Sequence, residues 1–221
     1  MDYVKAHQPD MMLFVCGMCG ILAVMTLITR SLPRKTRAIL ACMEISAMLL
    51  LFFDRFAYIY KGDASATGYY MVRISNGMVY FLSLLIPFFV TRFLSDVYKN
   101  EAKLPGPPIQ LVIADSLFFG GAAMLIYALQ SGLYYTFDET NNYHRAPWNA
   151  VCYVVPLLIV IFQEWSIFRY GKRINRRLAR SMIVSIALPT IASIFQIFAY
   201  GLSLINMTTA MVVCVFYTYA L

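Results

Sequence analysis

The sequence predicts an all-α membrane protein: a bundle of seven transmembrane helices with its N-terminus outside and its C-terminus in the cytoplasm. Three observations predict it. The 221 residues are 61% hydrophobic and only 13% charged, about half the charged fraction of an ordinary soluble chain. The apolar residues fall into seven runs, most of them near the roughly 20 residues that a helix needs to cross a bilayer. The cations sit in short loops between those runs and favour alternate loops, which is the pattern of the positive-inside rule. The formal net charge of +7 is therefore read as membrane orientation. No nucleic-acid partner is expected.

The first run, 11–29, is too long for a signal-peptide core, and the basic stretch Arg30 to Arg37 follows it, so it reads as a retained helix. The second run, 38–60, carries Glu44 and ends near Asp54 and Arg55. The third, 72–95, contains Pro87. The segment Leu104-Pro105-Gly106-Pro107-Pro108 cannot be helical and makes a stiff turn before the fourth run, 109–131. The fifth, 149–169, contains Pro156, and the sixth, 181–201, contains Pro189. Each of these prolines removes one backbone hydrogen bond, which predicts a kink. The seventh run, 205–221, is separated from the sixth only by Leu202-Ser203-Leu204, which requires a tight reversal there. One long helix broken at Gly201 is the competing reading. The whole chain is one integral membrane domain.

Orientation follows from the loops. Loop 30–37 holds Arg30, Arg34, Lys35 and Arg37, loop 96–108 holds Lys99 and Lys103 against Asp96 and Glu101, and loop 170–180 holds five cations and no anion. These three loops are assigned to the cytoplasm. Loops 61–71, 132–148 and 202–204 carry few charges and are assigned outside. Tyr69, Tyr70, Tyr134, Tyr135, Phe137, Tyr143 and Trp148 fall where the outer ends of spans meet lipid headgroups, and interfacial anchoring accounts for most of them.

A charge near the centre of a spanning helix costs roughly 2.5–3.5 kcal/mol on insertion scales, so each one asks for a partner or a role. The polar residues form two groups by depth. The outer group is Asp54, Arg55, Arg73, Asn76, Gln130, Gln196 and Asn206, with loop residues Asn142, Tyr143, His144 and Arg145 above it. Adjacent helical residues point about 100° apart, so Asp54 and Arg55 cannot pair across one face, and Arg73 is the expected partner of Asp54. Two readings stand. One is an outward-facing pocket for a small anionic or zwitterionic ligand, external or membrane-borne. The other is an interhelical polar clasp. The inner group is Glu44, Arg92, Asp96, Asp115, Glu164 and Arg169. Arg92 and Asp96 at i, i+4 are expected to pair. Asp115 and Glu164 are left with Arg92, Arg169 or the interface. Static anchoring is one role for this group. The other is a relay through Arg92, Asp96, Asp115 and Glu164, with Pro156 and Pro189 as flex points.

Several chemistries are excluded by composition. There is no His-Glu-x-x-His, no Gly-x-Ser-x-Gly and no phosphate-cradling glycine loop. The two histidines are His7 and His144, and His144 reads as interfacial. The five cysteines, Cys16, Cys19, Cys42, Cys152 and Cys214, all lie in apolar runs and read as packing or lipid-facing residues. No metal, no cofactor and no enzymatic activity of this chain are expected. No lysine lies within a span near the end of the chain, which excludes a retinal Schiff base.

The stretch Tyr134-Tyr135-Thr136-Phe137-Asp138 with Asn142-Tyr143-His144-Arg145-Ala146-Pro147 resembles an outer loop of bacterial membrane-anchored diguanylate cyclases. Leu188-Pro189, Phe195-Gln196 and Tyr200-Gly201-Leu202-Ser203-Leu204-Ile205-Asn206 resemble the sixth span and tight turn of the same multi-span N-terminal region. That region is related to the seven-span region in front of some histidine kinases. In this family the seventh span leads into a cytoplasmic GGDEF domain that condenses two GTP into cyclic di-GMP. This sequence has no Gly-Gly-Asp-Glu-Phe signature. The resemblance implies a sensory input region in the bacterial inner membrane, a cytoplasmic output domain in cis or in trans, and a homodimer. A histidine-kinase input region, a small-solute transporter and a membrane protein that binds a partner helix are the alternatives.

Overall fold

The computed structural model describes residues 2–198 and 202–220. Gly201, where the competing reading breaks one long helix, lies outside the described residues. Seven helices run in chain order: α1 Asp2–Ile28, α2 Arg34–Ile59, α3 Ala66–Asn100, α4 Ile109–Ser131, α5 Val151–Tyr170, α6 Arg176–Phe198 and α7 Leu204–Ala220. A short 3-10 turn, Gly171–Arg173, follows α5. Between α4 and α5 lies an element that the hydropathy pattern does not reveal: a hairpin of β1, Tyr135–Phe137, and β2, Tyr143–Arg145. The strands are antiparallel, with Tyr135 opposite Arg145, Thr136 opposite His144 and Phe137 opposite Tyr143.

Five helical segments are long and apolar enough to cross a membrane: His7–Ile28, Arg34–Ile59, Ala66–Asn100, Ile109–Ser131 and Val151–Arg173. α6 and α7 contain shorter apolar stretches, Leu178–Ser193 and Leu204–Thr218. The outer faces of the helices agree with lipid contact. Phe14, Ile21 and Ile28 project from α1, Phe119 and Ile126 from α4, and Phe168 from α5 is 88% exposed. Apolar surface on this scale is foreign to a soluble monomer. The fold is that of a helical membrane protein.

Local chemistry sets the helix ends. Pro33 and Pro108 stand immediately before α2 and α4, where a missing N–H costs nothing. Ser65 caps α3, its hydroxyl accepting from the Gly68 N–H at 3.0 Å. α4 ends at Gly132, whose φ of 68° lies in the left-handed region. α3 is 35 residues long, about 52 Å at 1.5 Å per residue, against a hydrocarbon core of ~30 Å. The predicted span 72–95 is only its middle: the helix begins at Ala66 and ends at Asn100. α1 likewise starts nine residues before its predicted span, and the helix continues on both sides of Pro9. α3, α5 and α6 also continue through Pro87, Pro156 and Pro189.

Two apolar cores share α3. The larger joins α1, α2, α3 and α7 around Leu40, Leu50, Phe93, Leu94 and Phe216, and reaches the start of α6 at Met182. The smaller joins α3, α4 and α5 around Leu84, Phe118, Leu125 and Ile159, and takes in Tyr134 from the hairpin segment. α4 and α5 approach closely at Gly121, where a Cβ would stand 2.7 Å from a Val155 methyl.

One end of the bundle carries the hairpin. The opposite end carries the basic loops, tied together by polar bonds. There Thr36 donates to Asp96 at 2.6 Å, and the Asn175 N–H donates to Glu101 at 2.9 Å.

Candidate functional site

The hairpin end holds two polar clusters. The residues of the outer group are divided between them and do not all line one recess.

The first cluster is the hairpin and the start of α3. Asp138 organises the turn: its Oδ1 accepts from the Thr140 N–H at 2.9 Å, the Thr140 hydroxyl at 2.8 Å and the Asn142 N–H at 2.9 Å. Its Oδ2 meets His144 Nε2 at 2.9 Å. These donors, His144 first, hold the Asp138 carboxyl well below the usual carboxylate range. Asn142 donates to Thr140 and so stiffens the same turn. Asn141, at φ 58°, adopts the left-handed conformation that Asn tolerates. Its side chain is buried and donates to Asp63 O at 2.8 Å, while its Oδ1 accepts from Arg73 Nη1 at 2.8 Å. Arg73 also donates to Tyr69 O at 3.0 Å, and its guanidinium carbon lies 3.5 Å from the Tyr69 ring centre and 4.6 Å from that of Phe137.

Beneath the strands is an aromatic hub. The Tyr80 and Tyr143 hydroxyls are 2.8 Å apart. Asn149 donates to Tyr134 O at 2.8 Å and to Tyr80 at 3.1 Å. Tyr135 stacks on Tyr80 at 5.3 Å between ring centres. Burial pushes the Tyr135 phenol up to about 12 and raises that of Tyr143. Arg145 is exposed beside this hub, and its charge acts on Tyr143. Between the turn and α3 an open recess of about 450 Å³ is lined by Ser65, Tyr69, Tyr70, Arg73, Asp138 and Glu139.

The second cluster lies between α1, α2 and α7. Asp54 of α2 is 6% exposed. Its Oδ2 accepts from the Ser203 hydroxyl and from Asn206 Nδ2, the latter at 2.8 Å. The Ser203 N–H donates to Gln8 Oε1 at 3.0 Å, and the Ile205 N–H to Gln196 Oε1 at 2.8 Å. Gln196 and Asn206 thus belong to the join between α6 and α7: Gln196, like Gln8, accepts from a free N–H group at the start of the helix, and Asn206 ties the turn to Asp54.

Three expected contacts are corrected. Asp54 does not pair with Arg73, because Ser203 and Asn206 of the α6–α7 turn reach its carboxylate. Arg55 does not line the recess; its Nε donates to Pro9 O at 3.2 Å, an acceptor on α1. Arg92 does not pair with Asp96, although i, i+4 spacing permits it. Arg92 bridges to Asp115 of α4 at 3.0 Å, while Asp96 takes Lys35 of α2 at 3.1 Å together with Thr36. Cross-helix partners displace the pairing on one helix.

The other predicted residues are peripheral. Asn76 donates to Val72 O of its own helix at 2.7 Å, and Gln130 is exposed. Glu164 is half-buried, with one carboxyl oxygen lacking a hydrogen-bond partner. Pro156 and Pro189 lie within α5 and α6. Tyr134, read from sequence as a rim anchor, is 4% exposed. Sequence reasoning missed Tyr80, Asn141, Asn149, Ser203 and Gln8. For Asn141 a signal existed: Asn-Asn after Asp-Glu-Thr is turn chemistry. The others are ordinary polar residues whose partners are far away in sequence. Among the described residues no group of three or more His, Cys, Asp or Glu is placed to hold a metal.

Comparison with family models and with curated proteins finds no match.

Proposed function

We propose that the chain is the membrane-embedded sensory input region of a bacterial signal-transduction protein. In this reading all seven helices span the inner membrane, the hairpin end faces outward and the basic end faces the cytoplasm. One observation carries the reading: a bonded line from the hairpin to α7. Asn141 holds Asp63 by its side chain, and its carbonyl accepts from Gly62 N at 3.3 Å, just past the end of α2. About one and a half turns before the end of α2, Asp54 holds Ser203 and Asn206 at the start of α7. A ligand that moves the hairpin therefore acts on a rigid helix that grips the first turn of the last one. Such a ligand shifts the equilibrium only by its difference in affinity between two arrangements.

The recess is the proposed site of entry. Arg73 is already stacked and bonded there and Asp138 is held by the turn and His144, whereas Glu139 is an exposed carboxylate at the rim of the recess. This argues for a small zwitterion or amine over a simple anion. The output reached through α7 is a cytoplasmic diguanylate cyclase, with a histidine kinase as the alternative, and the active form is a homodimer. The test is the size of the native product, detected by an antibody against the hairpin peptide. A product larger by a domain of roughly 100–200 residues that condenses GTP supports the reading. A product of this chain's own length, purified without a signalling partner, refutes it.

A small-solute transporter is the second reading. It is favoured by Glu44 and Asp54, two buried acids on α2 that form no ion pair among the described residues. Solute uptake into proteoliposomes would decide for it.

A further inference from the structure

The contact between the first and last helices includes a pair of thiols that the signalling reading does not use. Cys19 of α1 is fully buried, and its sulfur lies 3.7 Å from that of Cys214 on α7. The Cys19 thiol also donates to Ala210 O at 3.9 Å. Ala210 and Cys214 are one helical turn apart, so Cys19 is seated in the groove between them. Both cysteines are free, and Cys214 is half-buried at the edge of the bundle. Disulfide sulfurs stand about 2.05 Å apart, so closure asks for a shift of about 1.7 Å. A second feature marks the place as polar within an apolar core. Glu44 of α2, 1% exposed, acts electrostatically on both sulfurs; its Oε1 accepts from Thr26 at 2.9 Å and its Oε2 has no partner.

We propose that Cys19 and Cys214 form a dithiol site that a lipid-dissolved quinone oxidises to a disulfide, covalently joining α1 to α7. The location selects the oxidant. Cys19 lies midway along the apolar stretch His7–Ile28, and Cys214, within Leu204–Thr218, packs against it at that level, away from water-borne disulfides. Cys214 is flanked on the outer face of α7 by exposed Met211 and Val215, so the lipid side is the route of approach. The two S–H bonds break and one S–S bond forms. The quinone takes up the two electrons and two protons and leaves as the hydroquinone. The site stands whether or not the chain carries a signal.

The test uses the full chain in lipid nanodiscs containing a short-chain benzoquinone. The reaction is quenched with N-ethylmaleimide under denaturing conditions and read by intact and peptide mass spectrometry. The expected result is a loss of two hydrogens, protection of two of the five cysteines, and one linked peptide pair containing residues 19 and 214. Cys16→Ala and Cys42→Ala should leave that link in place. Cys214→Ala should leave every remaining thiol open to alkylation. Oxidised glutathione in place of the quinone should react at least tenfold more slowly. The proposal is overturned if all five thiols alkylate after quinone treatment, if the link runs through Cys16 or Cys42, or if the product is a covalent quinone adduct. Equal rates with oxidised glutathione overturn the assignment to a lipid-borne oxidant. The linked peptide is mapped in the unsubstituted chain, so the decision does not rest on the folding of any variant.

Discussion

Asn141 and Arg73 stand 68 positions apart in sequence and share a hydrogen bond of 2.8 Å. Through it the turn of the hairpin is fixed to the start of α3. The same Asn141 side chain reaches Asp63 at 2.8 Å, so one residue binds the hairpin both to α3 and to the loop that follows α2. Its replacement is the sharpest probe of this end of the protein.

Asn141→Ala removes both side-chain bonds and puts a Cβ-only residue at φ 58°. Each lost bond costs about 1 kcal/mol, and the left-handed backbone adds roughly 1–2 kcal/mol. Asn141→Gly loses the bonds but tolerates the backbone. Thermal unfolding in detergent should rank wild type above Gly and Gly above Ala. If Ala and Gly are equal, backbone conformation is not part of the residue's role.

Asn149 supplies the amide that Tyr134 O, Tyr80 and Tyr143 share. Asn149→Ala leaves buried acceptors without a donor, for about 1–3 kcal/mol. Tyr143→Phe removes one hydroxyl from the hub and should cost less, about 1 kcal/mol. Proteolysis of the loop between α4 and α5 should rise in the same order. A larger effect of Tyr143→Phe would place the centre of the hub elsewhere.

The Asp138 carboxyl is depressed in the folded hairpin by His144, Asn142 and Thr140. A depressed folded value contributes stability that is complete above the unfolded value, near 4, and is lost as pH falls below it toward the folded value. The hairpin should therefore keep its protease resistance from pH 7 to pH 5 and lose it only below about 4. Asp138→Asn should remove that acid transition. A transition of the same size in the variant would assign it to another group.

Asp54→Leu takes the acceptor away from Ser203 and Asn206, two donors at the start of α7. A buried polar group left unpaired costs about 1–3 kcal/mol. Amide exchange over 203–208 should accelerate, with less effect from Asp54→Asn, which retains an acceptor oxygen. Unchanged exchange in the Leu variant would mean that apolar packing alone holds this turn.

The helices were legible in the sequence because hydropathy is a sum over many residues. Runs such as 109–131 coincide with the observed α4 because Pro108 and Gly132 mark both ends. The hairpin was not legible as strands. Each strand is three residues long, too short for an alternating pattern to emerge, although its residues were singled out for their chemistry. The end of the bundle to which Asp54, Arg92 and Asp96 belong was readable, whereas their partners were not. Helical spacing says which residues share a face, but which helix lies opposite is settled by the packing of the whole chain. Arg92 shows this directly: its neighbour four residues on was available, yet Asp115 on α4 takes it.

The central claim is that the hairpin and the start of α7 are coupled through α2. It is tested most directly by amide hydrogen exchange on the protein in lipid nanodiscs, comparing wild type with Asn141→Ala. The account predicts faster exchange in the hairpin, 135–145, and also over 203–208, which the substituted residue does not touch. Acceleration confined to the hairpin and the adjoining 60–65 loop, with 203–208 unchanged, would contradict it.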